Sequence, residues 1–242
     1  APPAADTPEP PDTTPLFEQG HLRLKACRHG AMLYNSGDTY VGRSLDVYGE
    51  FSEGKIRVFD QVLKPGMIAI DAGANIGCHT LLMAHLVGPG GAVIAFEPQR
   101  VVYQNLCANI SLNALTNVHA VNSAVGSVAG SAAIAEIDYA AEGNFGGVSL
   151  SDAAEGERVQ IATIDDLPMA HCHLIKIDVE GLEAEIIQNG MEIIGKSKPD
   201  FVGEVSEYDG TDWCEALINI GYRLFDISDN GLHVISDIHQ ME

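Results

Sequence analysis

Basic side chains are scarce in this chain: 13 lysines and arginines stand against 34 aspartates and glutamates, for a net charge of −21. That imbalance weighs against a nucleic-acid backbone or an anionic membrane surface as the main partner, because both are held by clusters of Lys and Arg. A neutral or cationic small molecule is easier to accommodate, and the acidity also favours solubility. Long apolar runs are missing too. No stretch approaches the roughly 20 residues that cross a bilayer, and the first fifteen residues have neither the basic start nor the apolar centre of a secretion signal. The five cysteines, Cys27, Cys78, Cys107, Cys172 and Cys214, form no Cys-x-x-Cys pair. No His-x-x-x-His pair occurs either, so neither a disulfide framework nor a zinc centre is expected. Cys78 and Cys107 fall in helical patterns and read as small buried residues, which suits a reducing cytoplasm. The lack of Gly-x-Ser-x-Gly and P-loop patterns sets hydrolase and kinase chemistry aside.

With 242 residues, the chain has room for one α/β domain with a small appendage. Residues 1–15 are rich in proline and carry no large apolar side chain, so they read as a disordered leader. From 16 to 64, short alternating pieces such as His21-Leu-Arg-Leu-Lys25 and Ala31-Met-Leu-Tyr34 suggest a small antiparallel hairpin layer. Tyr48, Glu50 and Glu53 follow, and then a helical stretch through Ile56, Phe59 and Val62 ends at Pro65-Gly66. The remainder, 65–242, is read as the main domain.

That domain is organised around residues 67–98, read as strand, glycine turn, helix, strand. Apolar residues lead into Asp71, the turn carries Gly73, Asn75 and Gly77, a helix runs to Gly88, and a second strand ends in Glu97-Pro98. A parallel βαβ unit puts the turn and the second-strand acid at one carboxyl edge of the sheet, where open α/β folds bind ligands. The glycines let the backbone approach an adenosine, and Glu97 can accept two hydrogen bonds from its ribose diol. A dinucleotide fingerprint wants a glycine where Asn75 stands. Asp71 would also place negative charge near a pyrophosphate, whereas it suits an ammonium or a sulfonium.

Further strands are read at Asn117–Val121, Glu157–Ile161, Leu174–Asp178 and Pro199–Val205. Ala132–Ile137 with Gly147–Leu150 reads as an edge hairpin, Thr163–Asp166 as a helix start, and residues 222–235 as a final hairpin turning at Asp229-Asn-Gly231. Gly181 opens a helix that ends at Asn189-Gly190.

Four motifs in order, Asp71-Ala-Gly-Ala-Asn-Ile-Gly77, Phe96-Glu97-Pro98, Asn122-Ser-Ala-Val-Gly126 and Ile175-Lys-Ile-Asp178-Val-Glu180-Gly181, resemble those of the FkbM family of class I S-adenosylmethionine-dependent methyltransferases. The similarity covers roughly residues 45–205. It implies a Rossmann-like, mostly parallel sheet ending in an antiparallel hairpin, and O-methylation of a hydroxyl on a sugar, glycolipid or polyketide, with S-adenosylhomocysteine as the product. On this resemblance the cofactor site comprises Asp71, Gly73, Asn75, Gly77, Glu97, Pro98, Asn122, Ser123, Ala124 and Asp178. Val125 covers the adenine face. The family has an element similar to Asn144-Phe-Gly-Gly147, read as a lid or a plain surface loop.

Transfer to a hydroxyl needs alignment and a base, with Asp178, Glu180 and Glu204 as the catalytic candidates. Asp178 is expected nearest the methyl or the methionine portion, with the two glutamates flanking the acceptor. A divalent cation on these carboxylates is the unfavoured variant, so no metal site is assigned. Lys176 shares a sheet face with Asp178, as an ion-pair partner or a catalytic group. His79 reads as a hydrogen-bonded helix residue or, less favoured, a base. A nicotinamide oxidoreductase and a non-catalytic S-adenosylmethionine-binding protein are the competing readings. The edge hairpin can pair between subunits, giving a homo-oligomer.

Overall fold

The alternating residues near the N-terminal end form three antiparallel strands, β1 (Phe17–Gln19), β2 (Leu22–Cys27) and β3 (Gly30–Asn35), in a computed structural model that describes residues 14–150, 156–179, 181–203, 212–228 and 231–234. The leader lies almost wholly outside those residues. Two helices follow, α1 (Val41–Tyr48) and α2 (Glu53–Val62). Helix α1 has no side-chain cap at its start and ends on Gly49 in the left-handed conformation that glycine tolerates.

The main domain begins with β4 (Ile68–Ala72), α3 (Cys78–Val87), β5 (Ala92–Phe96), α4 (Arg100–Leu112) and β6 (Val118–Val121). The two-residue β7 (Ala124–Val125), paired parallel to β9 (Glu157–Ala162), and β8 (Gly130–Ile134), antiparallel to β9, make a separate three-stranded sheet. After it come β10 (Leu174–Ile177), α5 (Glu183–Asn189), α6 (Met191–Ser197), β11 (Asp200–Gly203) and α7 (Asp212–Asn219). The chain closes with antiparallel β12 (Phe225–Ser228) and β13 (Gly231–Val234). The expected final hairpin is therefore present, with Asp229 and Asn230 of its turn outside the described residues.

All five main-sheet strands are parallel, in the order β11-β10-β4-β5-β6. Successive strands step one way from β4 through β5 to β6 and the other way from β10 to β11, so the carboxyl ends of β4 and β10 flank a switch point. A crevice opens there because the connections leave in opposite directions. Such a sheet is covered on both faces, which is why β4 and β10 are apolar apart from Asp71 and Lys176, which pair with each other.

Two of the cores join the N-terminal layer to the main domain. In one, Met32, Tyr34, Val41 and Leu45 pack with Ala74, Ile76, Leu81 and Leu106; in the other, Val58, Phe59 and Leu63 pack with Met83, Ala84, Val87 and Val93. Local readings needed three corrections. Residues 132–134 pair with β9 and not with 147–150, which run irregularly. Thr163–Asp166 is a turn; Asp165 instead accepts the backbone N–H groups of Glu192 (3.1 Å) and Ile193 (2.9 Å) and so caps α6 from a distance. Cys78 and Cys107 are half-buried, whereas Cys172 and Cys214 are buried; all five thiols are unpaired. Among the described residues no helix is long and apolar enough to cross a membrane.

Candidate functional site

The turn after β4 is the floor of the site. Gly73 (φ 79°), Asn75 (φ 51°) and Gly77 (φ 95°) all lie in the left-handed region. A Cβ on Gly73 would fall 1.9 Å from the Asp178 carbonyl oxygen, so only glycine lets the turn pass beneath β10. Asn75 adopts this conformation because its own side chain supports it: Oδ1 accepts the Ile76 N–H at 2.7 Å. The backbone N–H groups of Gly73 and Ala74 donate to the Phe96 carbonyl at 3.1 and 2.8 Å, which ties the turn to the end of β5.

Glu97 stands at that strand end, buried. Its Oε2 accepts the Asn75 N–H and its Oε1 the Gln99 N–H, both at 2.9 Å. Burial pushes the carboxyl pKa up to about 7, against the two amides, which favour the ionised form. A carboxylate has about four acceptor positions, so after two amides it retains capacity for the two hydroxyls of a diol. Pro98, Ser123, Ala124 and Val125 continue the same wall. The Ser123 hydroxyl donates to the Gln160 carbonyl at 2.9 Å and holds the small sheet against this edge.

Across the floor lies a chain of charges. Lys176 and Asp71 are register partners on β10 and β4, and Lys176 Nζ is 3.1 Å from Asp71 Oδ1. The same ammonium donates to the Gly73 carbonyl at 2.6 Å and lies 3.5 Å from Asp178 Oδ2. Burial pulls the Lys176 pKa down, but Asp71 and Asp178 outweigh it and hold the ammonium charged. Thr80 donates to Asp71 Oδ2 at 2.6 Å. Asp178 receives a second cation, Lys55 Nζ, at 3.2 Å. Burial alone would raise the Asp178 carboxyl, yet Lys176 and Lys55 keep it below the ordinary range.

The cavity above this floor has a volume of about 640 Å³, inside the range typical of small-molecule sites. Gly73, Asn75, Glu97, Pro98, Ser123, Ala124 and Asp178 line it. Asp71, Gly77 and Asn122 do not. Asp71 is sealed beneath the floor by Lys176 and Thr80, so it offers no charge to a ligand. Gly77 packs towards Leu106 and Leu81. Asn122 donates to the Glu97 and Pro98 carbonyls at 2.9 and 3.0 Å, bracing the strand end from behind. Glu180 and Glu204 lie outside the described residues. Among the described residues no group of three His, Cys, Asp or Glu side chains could hold a metal ion.

The N-terminal layer supplies the remaining wall with Tyr40, Val41, Ser44, Phe51, Ser52 and Lys55. Tyr48, Glu50 and Glu53 of the same layer do not line it: Arg28 pairs with both glutamates and His29 lies 2.7 Å from Glu53. His79 lines the cavity between the rings of Phe51 and Phe59, with centroids 5.9 and 5.4 Å away. Burial, reinforced by Lys176 and Lys55, pushes its pKa well below the usual value, so it stays neutral, and its Nε2 has no hydrogen-bond partner among the described residues. The expected bonded helix histidine is thus absent at that nitrogen.

The loop with Asn144, Gly146 and Gly147 does reach the cavity. Gln99 holds it in place, donating from Nε2 to the Phe145 carbonyl at 2.6 Å while Oε1 accepts the Tyr139 hydroxyl at 3.0 Å. Gln99 was signalled by its place directly after Glu97-Pro98; Lys55 and Phe51, on a segment remote in sequence, had no such signal.

Residues 71–224, well over half of the chain, match the family model of the Methyltransferase FkbM domain. Over 47 residues the chain is 51% identical to 31-O-demethyl-FK506 methyltransferase FkbM of Streptomyces tacrolimicus, a match to 19% of this chain and only 18% of that relative's length. Similar solved structures include the methyltransferase FkbM of Methylobacillus flagellatus, with TM-score 0.46, 17% identity and coverage of 68% of this chain and 43% of that one. A methyltransferase of Streptococcus mutans in complex with SAH aligns with TM-score 0.47 and 15% identity, over 74% of this chain and 89% of that one. With the family model matched across the glycine turn, the Glu97 strand end and Asp178, the chain belongs to the FkbM family of class I S-adenosylmethionine-dependent methyltransferases.

Proposed function

We propose that this methyltransferase acts on a hydroxyl of an uncharged small molecule of sugar, glycolipid or polyketide type, releasing S-adenosylhomocysteine. The observation that carries the reading is one cavity with a buried carboxylate, Glu97, at one end and the Asp178–Lys55 pair at the other, across a glycine floor. These residues fit the cofactor: Glu97 retains acceptor capacity for the ribose diol, Ser123, Ala124 and Val125 border the adenine, and Asp178 stands at the methionine and methyl end. When bound, S-adenosylmethionine supplies a methyl group on an already activated sulfur leaving group.

The protein's own task is alignment and proton removal. The Asn144–Gly147 loop and the Phe51 side of the cavity exclude water and orient the acceptor. Asp178, held ionised by two lysines, is a weak base that favours a cationic neighbour, so its role is electrostatic. Glu180 and Glu204 remain the proposed flanks of the acceptor. The chain's net charge of −21 supports an acceptor without a polyphosphate backbone. The five unpaired thiols support a reducing, cytoplasmic setting.

Calorimetric titration with S-adenosylhomocysteine and NADH, followed by turnover of S-adenosylmethionine against a panel of glycosides and polyketide alcohols, tests the reading. Binding of the first ligand alone and methyl ether formation are expected. NADH binding, or methylation confined to nitrogen or carbon, overturns it. Unchanged turnover in Asp178→Ala removes the role given to Asp178.

A further inference from the structure

We infer that Lys55, on α2, recognises the carboxylate at the amino-acid end of the bound cofactor while Asp178 takes its ammonium. The inference rests on the cofactor lying in this cavity as proposed above. Among the described residues, the charged side chains lining the cavity are Lys55, Glu97, Lys176 and Asp178. Lys176 is buried, and its ammonium, with three donors, already meets the Gly73 carbonyl, Asp71 and Asp178. Glu97 serves the opposite end. That leaves the Lys55–Asp178 pair, 3.2 Å apart, as the charges placed to meet a ligand.

The sheet order fixes where that pair sits. Glu97 follows β5 and Asp178 follows β10, and these strands flank β4 on opposite sides. Their ends are therefore two strand spacings apart, roughly 9–10 Å, with Gly73 between them. A ligand whose ribose is at Glu97 and whose chain crosses the glycine floor brings its far end to Asp178 and Lys55. In S-adenosylmethionine that end is a zwitterion, with an ammonium and a carboxylate on one carbon. An acid alone would hold the ammonium and repel the carboxylate; an acid beside a lysine matches both.

The arrangement is electrostatically matched, because the cofactor's ammonium meets the Asp178 carboxylate while its carboxylate meets the Lys55 ammonium. His79 adds an independent observation in the same wall. Among the described residues its buried Nε2 has no hydrogen-bond partner, as expected of a group whose partner is a polar ligand atom. Lys55 precedes the family-matched stretch 71–224, so the N-terminal layer completes the cofactor site and does more than cover it.

The test compares S-adenosylhomocysteine with 5′-methylthioadenosine, which keeps the nucleoside and thioether but lacks the amino-acid end. Both are titrated calorimetrically into the full chain and into its Lys55→Met and Lys55→Arg variants. Lys55→Met should weaken S-adenosylhomocysteine roughly 10- to 100-fold, the effect of losing a charged hydrogen bond, and leave 5′-methylthioadenosine within about twofold. Lys55→Arg should recover most of the loss, since the charge is kept. Equal weakening of both ligands would show a merely structural role and overturn the inference, as would no weakening of either. If neither ligand binds the unaltered chain, the cofactor reading itself falls and takes this inference with it.

Discussion

At Glu97, burial and function pull in opposite directions. The buried site raises the carboxyl pKa to about 7, while a ribose diol donates hydrogen bonds and so selects the ionised form. With that pKa about a tenth of the group is ionised at pH 6 and about nine tenths at pH 8, so S-adenosylhomocysteine should bind about tenfold more weakly at pH 6. Calorimetry across that range checks it, and Glu97→Gln should flatten the dependence while weakening binding at every pH. In the absence of ligand the sign is different. A folded pKa above the unfolded value means that the unfolded chain loses its proton first as pH rises, so this group lowers stability progressively from about pH 4.5 to 7 and holds it at the lower value above that. Lys176 presents the reverse case. Replacing it with Met leaves Asp71 buried with the Thr80 hydroxyl as its remaining polar partner, and urea unfolding should show a loss of about 3–5 kcal/mol. The roles of these two acids were only partly legible. Strand ends and the period of two marked Asp71, Glu97, Lys176 and Asp178 as important. Which acid faces the ligand depends on the register that sets Lys176 opposite Asp71, and register between distant strands is not written in either strand alone.

Elements that carry their own signal were legible, and elements made by distant partners were not. The β4–α3–β5 unit has a glycine turn, apolar strands and a clear break after the helix, and it forms as read. Helix α1 has no capping side chain and no acid in its first turn, so nothing announced it. Strand β8 finds β9 across more than twenty residues, a pairing that local hairpin rules cannot reach. The glycine turn itself can be tested as an element. Gly73→Ala would drive a Cβ to 1.9 Å from the Asp178 carbonyl, pushing β10 off the turn. A loss of roughly 3 kcal/mol or more is expected, together with loss of S-adenosylhomocysteine binding. Gly66 is the control: its φ is 89°, but a Cβ there meets nothing within 4 Å. Gly66→Ala should therefore cost about 1 kcal/mol, from the backbone conformation alone, and leave ligand affinity unchanged. Equal losses at the two positions, measured by thermal melts and calorimetry, would show that the close approach to β10 is not what the turn depends on.

On the scale of the whole molecule, the question is whether the N-terminal layer is an appendage or part of one cooperative unit. Its side chains enter two cores that also contain α3, α4 and β5 residues, and the joint is hydrogen-bonded as well as apolar. Asn109 on α4, fully buried, accepts the Leu33 N–H at 2.6 Å and donates to the Leu33 and Ile76 carbonyls at 3.0 and 2.8 Å. One amide thus connects β3 of the layer, a helix of the main domain and the turn that floors the cofactor site. Asn113 repeats the arrangement one turn along, bonding the Ala31 N–H and carbonyl. Asn109→Leu would strand three buried backbone groups, and at about 1–3 kcal/mol for an unsatisfied group, partly relieved by relaxation, a total loss of roughly 3 kcal/mol is expected. If the layer and the main domain fold as one, that loss lowers a single transition. Circular dichroism and the fluorescence of Trp213, which lies in the C-terminal part of the sequence, would then shift together in urea. If the layer is separable, the dichroic transition moves to lower urea while the fluorescence transition stays put. Because Ile76 follows Asn75 in the cofactor turn, the unified case also requires Asn109→Leu to weaken S-adenosylhomocysteine, although no atom of Asn109 lines the cavity.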